Sequence, residues 1–118
     1  MNTIPDDNWN DDAVWKALAD PHRRRLLDLL RESPRTTGWL AERFETSRFA
    51  IMKHLKVLEA ADLIIVERRG RERFNHLNPA PIQAIQRRWL RPFEATAADR
   101  LLRLKELSEA KKEEDSER

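Results

Sequence analysis

The stretch TGWLAERFETSRFAIMKHLKVLEAADLIIVERRGRER, residues 37–73, contains a change of period that decides the architecture. Thr36 or Thr37 is placed to cap a short helix through Trp39, Leu40, Ala41 and Phe44, and Ser47 to cap a second helix running to about Ala61. Two helices joined by three or four residues make a helix-turn-helix unit. Beyond Leu63 the helical repeat gives way to short alternating runs. Ile64–Arg69 and Glu72–Leu77 read as two strands around Gly70, a β-hairpin with an arginine-rich tip.

Upstream, Val14, Trp15 and Leu18 stand at helical spacing in a helix from about Asp11 to Ala19, with Asn10 as its cap. Asp20-Pro21 restarts the chain as an N-cap followed by a proline suited to the first helical position. The helix that follows turns Leu26, Leu27, Leu29 and Leu30 inward, crowds Arg23, Arg24 and Arg25 into its first turn, and ends at Ser33-Pro34. Downstream, Asn78-Pro79 caps a final helix carrying Ile82, Ile85, Trp89, Phe93, Leu101 and Leu104, which Pro92 should kink or split. Helix, helix, helix-turn-helix, hairpin, helix is a mainly α winged-helix layout. It divides into a flexible acidic N-terminus (1–10), a winged-helix domain (11–107) and a charged C-terminal tail (108–118).

Composition narrows the function. The 118 residues suffice for one domain, and 40% apolar content fits a globular chain, while 37% charged residues indicate much solvated helix surface. Cysteine and tyrosine are absent and Gly38 and Gly70 are the only glycines, so there is no thiol nucleophile and no phosphate-cradling glycine loop. Catalysis is not expected, and neither is a cofactor. No apolar run is longer than that of Leu63–Val66, far short of the ~20 residues that span a bilayer. The acidic opening MNTIPDDNWNDD is unlike a signal peptide, so a cytoplasmic protein without membrane contact is expected. The net charge of +2 hides a layout: residues 63–91 carry +5, whereas residues 1–20 carry −4 and residues 92–118 carry −2. Such a local basic face suits a polyanion.

The second helix of the helix-turn-helix pair presents two faces. At 100° per residue Ile51, Leu55 and Leu58 share one side, flanked by Ala50, His54, Val57 and Ala61, and form its core face. Phe49, Met52, Lys53 and Lys56 form the opposite stripe, with Arg48 in the first turn. Lysines can meet phosphates or guanine edges and apolar groups can meet thymine methyls, which is what a helix in the major groove requires. Arg68, Arg69, Arg71 and Arg73 would place the wing on phosphates or in the minor groove. Two readings therefore compete: double-stranded DNA, or an acidic protein docked through the same arginines. A DNA reader alone should lose sequence preference when the stripe is altered and lose affinity uniformly when the wing is altered.

Three segments, ADPHRRRLLDLL (19–30), LAERFETSRFAIMKHLKVLEAADL (40–63) and VERRGRERFNHLNPAPI (66–82), together resemble the ArsR-type winged helix-turn-helix regulators over about residues 13–107. SRFAIMKHLKVLE (47–59), with RGRERFNHLNPAPIQAIQRRW (69–89) after it, is similar to a subgroup often encoded beside START-like (Aha1-type) ligand-binding proteins. The resemblance implies a homodimer built from the first and last helices and repression at a promoter. It makes 47–60 the recognition helix, with Ser47, Arg48, Phe49, Met52 and Lys53 facing DNA and Arg69 and Arg71 on phosphates within the 66–73 wing. Trp15, Ile85, Trp89, Phe93, Leu101 and Leu104 are the expected dimer contacts, and an inverted-repeat operator follows from the two-fold axis.

Two departures from the family stand out: Glu45 in the turn, where glycine is frequent, and Asp62 in place of the glycine of Ala-Gly-Leu. Aspartate tolerates left-handed backbone better than most residues. The Cys-x-Cys and Asp/His metal motifs of metal-sensing members are missing. His22, His54 and His76 lie on three different elements, none at the i, i+4 spacing of a helical zinc site, so no metal is expected. His54 is expected to be a hydrogen-bonded packing residue and His22 an exposed one in its helix's first turn. Trp89 and Phe93 around Pro92 leave a dimer core or a small-molecule effector pocket open.

Overall fold

Each helix in the first part of the chain begins where a side chain can satisfy the otherwise unpaired N–H groups of its first turn. In the computed structural model, which describes residues 10–92 and 95–117, helix α1 spans Asp11–Leu18 and α2 spans Pro21–Glu32. Asn10 accepts from the Ala13 N–H at 3.1 Å, and Asp20 Oδ1 accepts from the His22 and Arg23 N–H groups at 2.8 and 3.3 Å. Strand β1 is the pair Arg35–Thr36, and α3 spans Thr37–Ala41, capped by Thr36 Oγ1 on the Trp39 N–H. Helix α4 spans Arg48–Ala60 with Ser47 Oγ on the Ala50 N–H.

Ala61 caps the end of α4, and Asp62 takes φ 61°, the left-handed conformation its short polar side chain tolerates. The Asp62 carbonyl accepts from Asn78 Nδ2 at 2.8 Å, which ties this turn to the far end of the hairpin. Strands β2 (Ile64–Arg69) and β3 (Glu72–Leu77) have the bounds the alternation predicts. Gly70, at φ 61°, takes the first central position of a two-residue turn that requires positive φ. The sheet is not a simple hairpin, however. It has three antiparallel strands in the order β1-β3-β2, with Arg35 opposite Asn75 and Thr36 opposite Phe74.

The chain divides into two units between Ala84 and Ile85. The core of the first gathers Val14 and Ala17 from α1, Leu26 and Leu30 from α2, Leu40 from α3, Ile51, Leu55 and Leu58 from α4, and Leu63 and Ile64 at the start of β2, all buried. Each fully buried leucine or isoleucine contributes about 1.5–3 kcal/mol relative to exposure. The faces of α2 and α4 are therefore fixed by the spacing of these residues. Helix α5 (Ala80–Ile85), capped by Asn78 Oδ1 on the Ala80 N–H, crosses the division.

In the second unit the helix loosens into a π-turn over Gln86–Leu90, with the Arg91 N–H reaching back to the Gln86 carbonyl, before Pro92; α6 then runs Ala95–Glu117. The proline thus splits the final helix, in line with its missing donor. Helix α6 extends through the segment set apart above as a charged tail. Phe93 and residues 1–9 of the acidic N-terminus lie outside the described residues. Among the described residues no helix is long and apolar enough to cross a membrane.

Candidate nucleic-acid interface

The buried Ile51, Leu55 and Leu58 hold α4 by one face and leave the other outward. Phe49 is 67% exposed there, an unusual position for a large aromatic ring, and Lys53 Nζ lies 4.8 Å from its centroid, one helical turn on. Lys56, Arg48 and Ser47 are also exposed. Met52 is placed differently from the rest of its stripe. It is half-buried and lines the clefts between α4 and the sheet with Thr37 and Arg73, so only part of its side chain is available to a ligand.

The four wing arginines are not equivalent. Arg69 pairs with Glu67 at 3.0 Å and lies 4.4 Å from the centroid of Phe74, and Arg73 reaches Glu59 at 3.8 Å. Arg68 and Arg71 are exposed and form no ion pair among the described residues. Glu67 also bonds His76 Nε2 at 2.9 Å. The side-chain hydrogen bonds from Arg69, first, and then from His76 hold the Glu67 carboxyl below its ordinary value. Two of the four wing arginines are thus engaged by acids before any ligand arrives.

A cleft of about 240 Å³ opens where the start of α3, the start of α4 and the hairpin tip converge, with Arg48, Arg71 and Arg73 among its lining residues. The wing is joined to α3 by Asn75, which is 1% exposed; its Nδ2 donates to the Arg35 carbonyl at 3.2 Å and to Thr37 Oγ1 at 3.1 Å. Sequence reasoning passed over this link, since a lone asparagine in a strand gives no sign of its partners. It also passed over a cation–aromatic stack on α3, where the Arg35 and Arg43 guanidiniums lie 4.0 and 3.3 Å from the centroid of the Trp39 ring. No helical period gives this away, because Arg35 lies on β1 and Arg43 beyond the end of α3.

Folding also joins two histidines that the sequence places on different elements. The His22 and His54 rings stack 5.4 Å apart, and with Asp20 they bring one potential metal-ligand atom each within 4.8 Å of one another. Arg23 weighs against an ion there. Its guanidinium is fixed by the Ala17 and Lys16 carbonyls at 2.7 and 3.0 Å and lies 3.2 Å from His54 Nδ1. Arginine can only donate, so Nδ1 must accept, its lone pair is occupied, and neutral His54 carries its proton on Nε2. Burial first, then the Arg23 and His22 charges, push the His54 pKa below its ordinary 6.5, against the pull of Asp20. At Asp20 burial acts upward, but the N–H bonds from Arg23 and His22 and the neighbouring charges bring the carboxyl below 3.8. His54 is a hydrogen-bonded packing residue, as its position on the flank of the core face predicts, and the His22 side chain is 48% exposed.

A helix-turn-helix domain family model matches residues 18–67, which span α2 through most of β2. The transcriptional repressor SdpR of Bacillus subtilis (strain 168) is 40% identical over 70 residues, covering 59% of this chain and 78% of that protein. The crystal structure of the ArsR family transcriptional regulator RHA00566 is similar at 33% identity and a TM-score of 0.65, over 69% of this chain and 88% of that one. The chain belongs to the ArsR family. The homodimeric winged helix-turn-helix DNA-binding domain Mb0332 from Mycobacterium bovis, 20% identical with a TM-score of 0.57 over 70% of this chain and 78% of that one, shares the fold. ArsR-family proteins are transcriptional regulators rather than enzymes, and this chain is a DNA-binding transcriptional regulator with α4 as the second helix of its helix-turn-helix.

Proposed function

We propose that the protein is a homodimeric repressor that reads an inverted-repeat operator. The observation that carries this reading is the outward face of α4, with Phe49 exposed beside Lys53, set next to a wing whose Arg68 and Arg71 are unpaired among the described residues. In this arrangement Phe49 meets a thymine methyl, while Ser47, Lys53, Lys56 and the exposed part of Met52 meet base edges or flanking phosphates in the major groove. The 66–73 wing lies along the backbone or minor groove, with Arg68 and Arg71 as primary contacts. Arg69 and Arg73 contribute to the extent that phosphate displaces Glu67 and Glu59.

Dimerisation is supported by apolar surface that a single chain leaves in water. Trp15 on α1 is 48%, Trp89 in the π-turn 53%, and Leu101 and Leu104 on α6 63% and 60% exposed, and each could be buried against a second copy of the chain. Ile85, at 4%, is already buried and adds little to such an interface. Recognition helices related by the two-fold axis of such a dimer would sit about one DNA turn, ~34 Å, or a multiple of it apart. The repressor acts in the cytoplasm without a bound metal, His54 being occupied by Arg23.

The test is selection from a random duplex library at near-physiological salt. Enrichment of an inverted repeat with half-sites one turn apart is the expected result. Weak, salt-sensitive binding to every sequence, with no enrichment, would overturn the reading.

A further inference from the structure

The cleft between α3, α4 and the wing is lined by three arginines, Arg48, Arg71 and Arg73. Arg48 begins the recognition helix, and its guanidinium reaches the first turn of α3. It folds back over Gly38, where a Cβ would stand 3.9 Å from Nη1 and 4.0 Å from Nη2. Arg71 and Arg73 enter from the wing, and Arg73 Nε is buried without a hydrogen-bond partner. Thr37, 7% exposed, also lines the cleft. Its oxygen accepts from Asn75, and its hydroxyl hydrogen remains free to donate. The one acid in the lining is Glu72. Three guanidiniums, of which that of Arg73 also faces Glu59 at 3.8 Å, and a hydroxyl donor around a space of about 240 Å³ suit a compact, multiply accepting anion.

We propose that this cleft seats one phosphate of the DNA backbone, and that Arg48 is a backbone clamp rather than a reader of bases. The inference rests on the DNA-binding reading above and deepens it. Contacts from the recognition helix, through Arg48, and from the wing, through Arg71 and Arg73, converge on a single phosphodiester and fix the register of α4 in the groove. Sequence preference is then left to Phe49, Met52 and Lys53. Gly38 borders the site, since a Cβ there would stand in ordinary van der Waals contact with the Arg48 guanidinium.

The test is a methylphosphonate scan of the selected operator, in which each phosphate in turn is made neutral, read by fluorescence anisotropy with the full-length protein. In the unaltered protein one phosphate in each half-site should cost about tenfold in affinity when neutralised. Arg48→Ala and Arg71→Ala should each remove the sensitivity at that same phosphate and leave the others. Each should weaken operator and unrelated DNA by the same factor and lower the log–log salt slope by about 0.9. Glu72→Gln should tighten binding to both DNAs. Sensitivity to different phosphates in the two arginine variants would overturn the shared seat. Loss of discrimination by Arg48→Ala, with unrelated DNA bound as before, would make Arg48 a base reader and overturn the clamp. If the unaltered protein binds no DNA, the underlying reading fails, and that result is seen before any variant is made. All three substitutions fall at exposed residues, so circular dichroism should show the fold intact.

Discussion

Replacing Asn75 should uncouple the wing from the helix-turn-helix, and the cost can be worked from its contacts. Its Nδ2 makes two bonds, to the Arg35 carbonyl and to Thr37 Oγ1, at a position 1% exposed. Asn75→Ala removes both donors and leaves acceptors in a place water reaches poorly. Each such loss costs about 1–1.5 kcal/mol, and the small cavity adds to it, giving roughly 2–4 kcal/mol in all. Urea unfolding followed by tryptophan fluorescence should show this loss, with a fall in Tm on the order of 10 °C. Asn75→Asp should cost at least as much at neutral pH, because it turns an oxygen toward the Arg35 carbonyl and buries a charge. Burial raises the introduced carboxyl's folded pKa above its unfolded value of about 3.9, so the variant's relative stability is best below that pH and declines as pH rises through the folded value. Because Thr37 and Arg73 line the proposed phosphate seat, DNA affinity should fall with stability. If both variants unfold within about 0.5 kcal/mol of the unaltered protein, a size typical of uninvolved surface positions, the link carries no load and the reasoning fails.

Three further outcomes follow from other contacts. Asp20→Ala removes the α2 cap and should cost about 1 kcal/mol; because the Asp20 pKa is lowered on folding, the contribution is present above its ordinary 3.8 and is lost as pH falls, so acid titrations of the two proteins should converge. The His54 pKa is likewise lowered, so stability should decline as pH falls through 6.5 toward the folded value; His54→Gln, which keeps an acceptor for Arg23 but cannot titrate, should flatten that slope, and an unchanged slope would exclude His54 as its source. Leu101→Glu with Leu104→Glu should yield monomers by sedimentation velocity at micromolar concentration with helix content retained, whereas a dimer of unchanged stability would move the interface away from this part of α6.

The parts of this protein legible in its sequence are those that depend on neighbours along the chain. Asn10, Asp20, Thr36 and Ser47 cap helices because each needs only an N–H two or three residues ahead. The inward face of α4, the hairpin around Gly70, the left-handed turn at Asp62 and the break at Pro92 follow from periodicity and backbone preference in the same local way. Strand β1 was not legible, because two residues hold no period and their pairing with Phe74 and Asn75 spans about forty positions. For the same reason the sequence could list four wing arginines but not separate the paired Arg69 and Arg73 from the unpaired Arg68 and Arg71. Nor could it stack His22 on His54 or fold Arg48 over Gly38. The reach and freedom of a charged side chain are decided by what packing brings within a few ångströms of it. Those neighbours come from distant segments, so only the tertiary structure distinguishes a charge available to DNA from one already spent inside the protein.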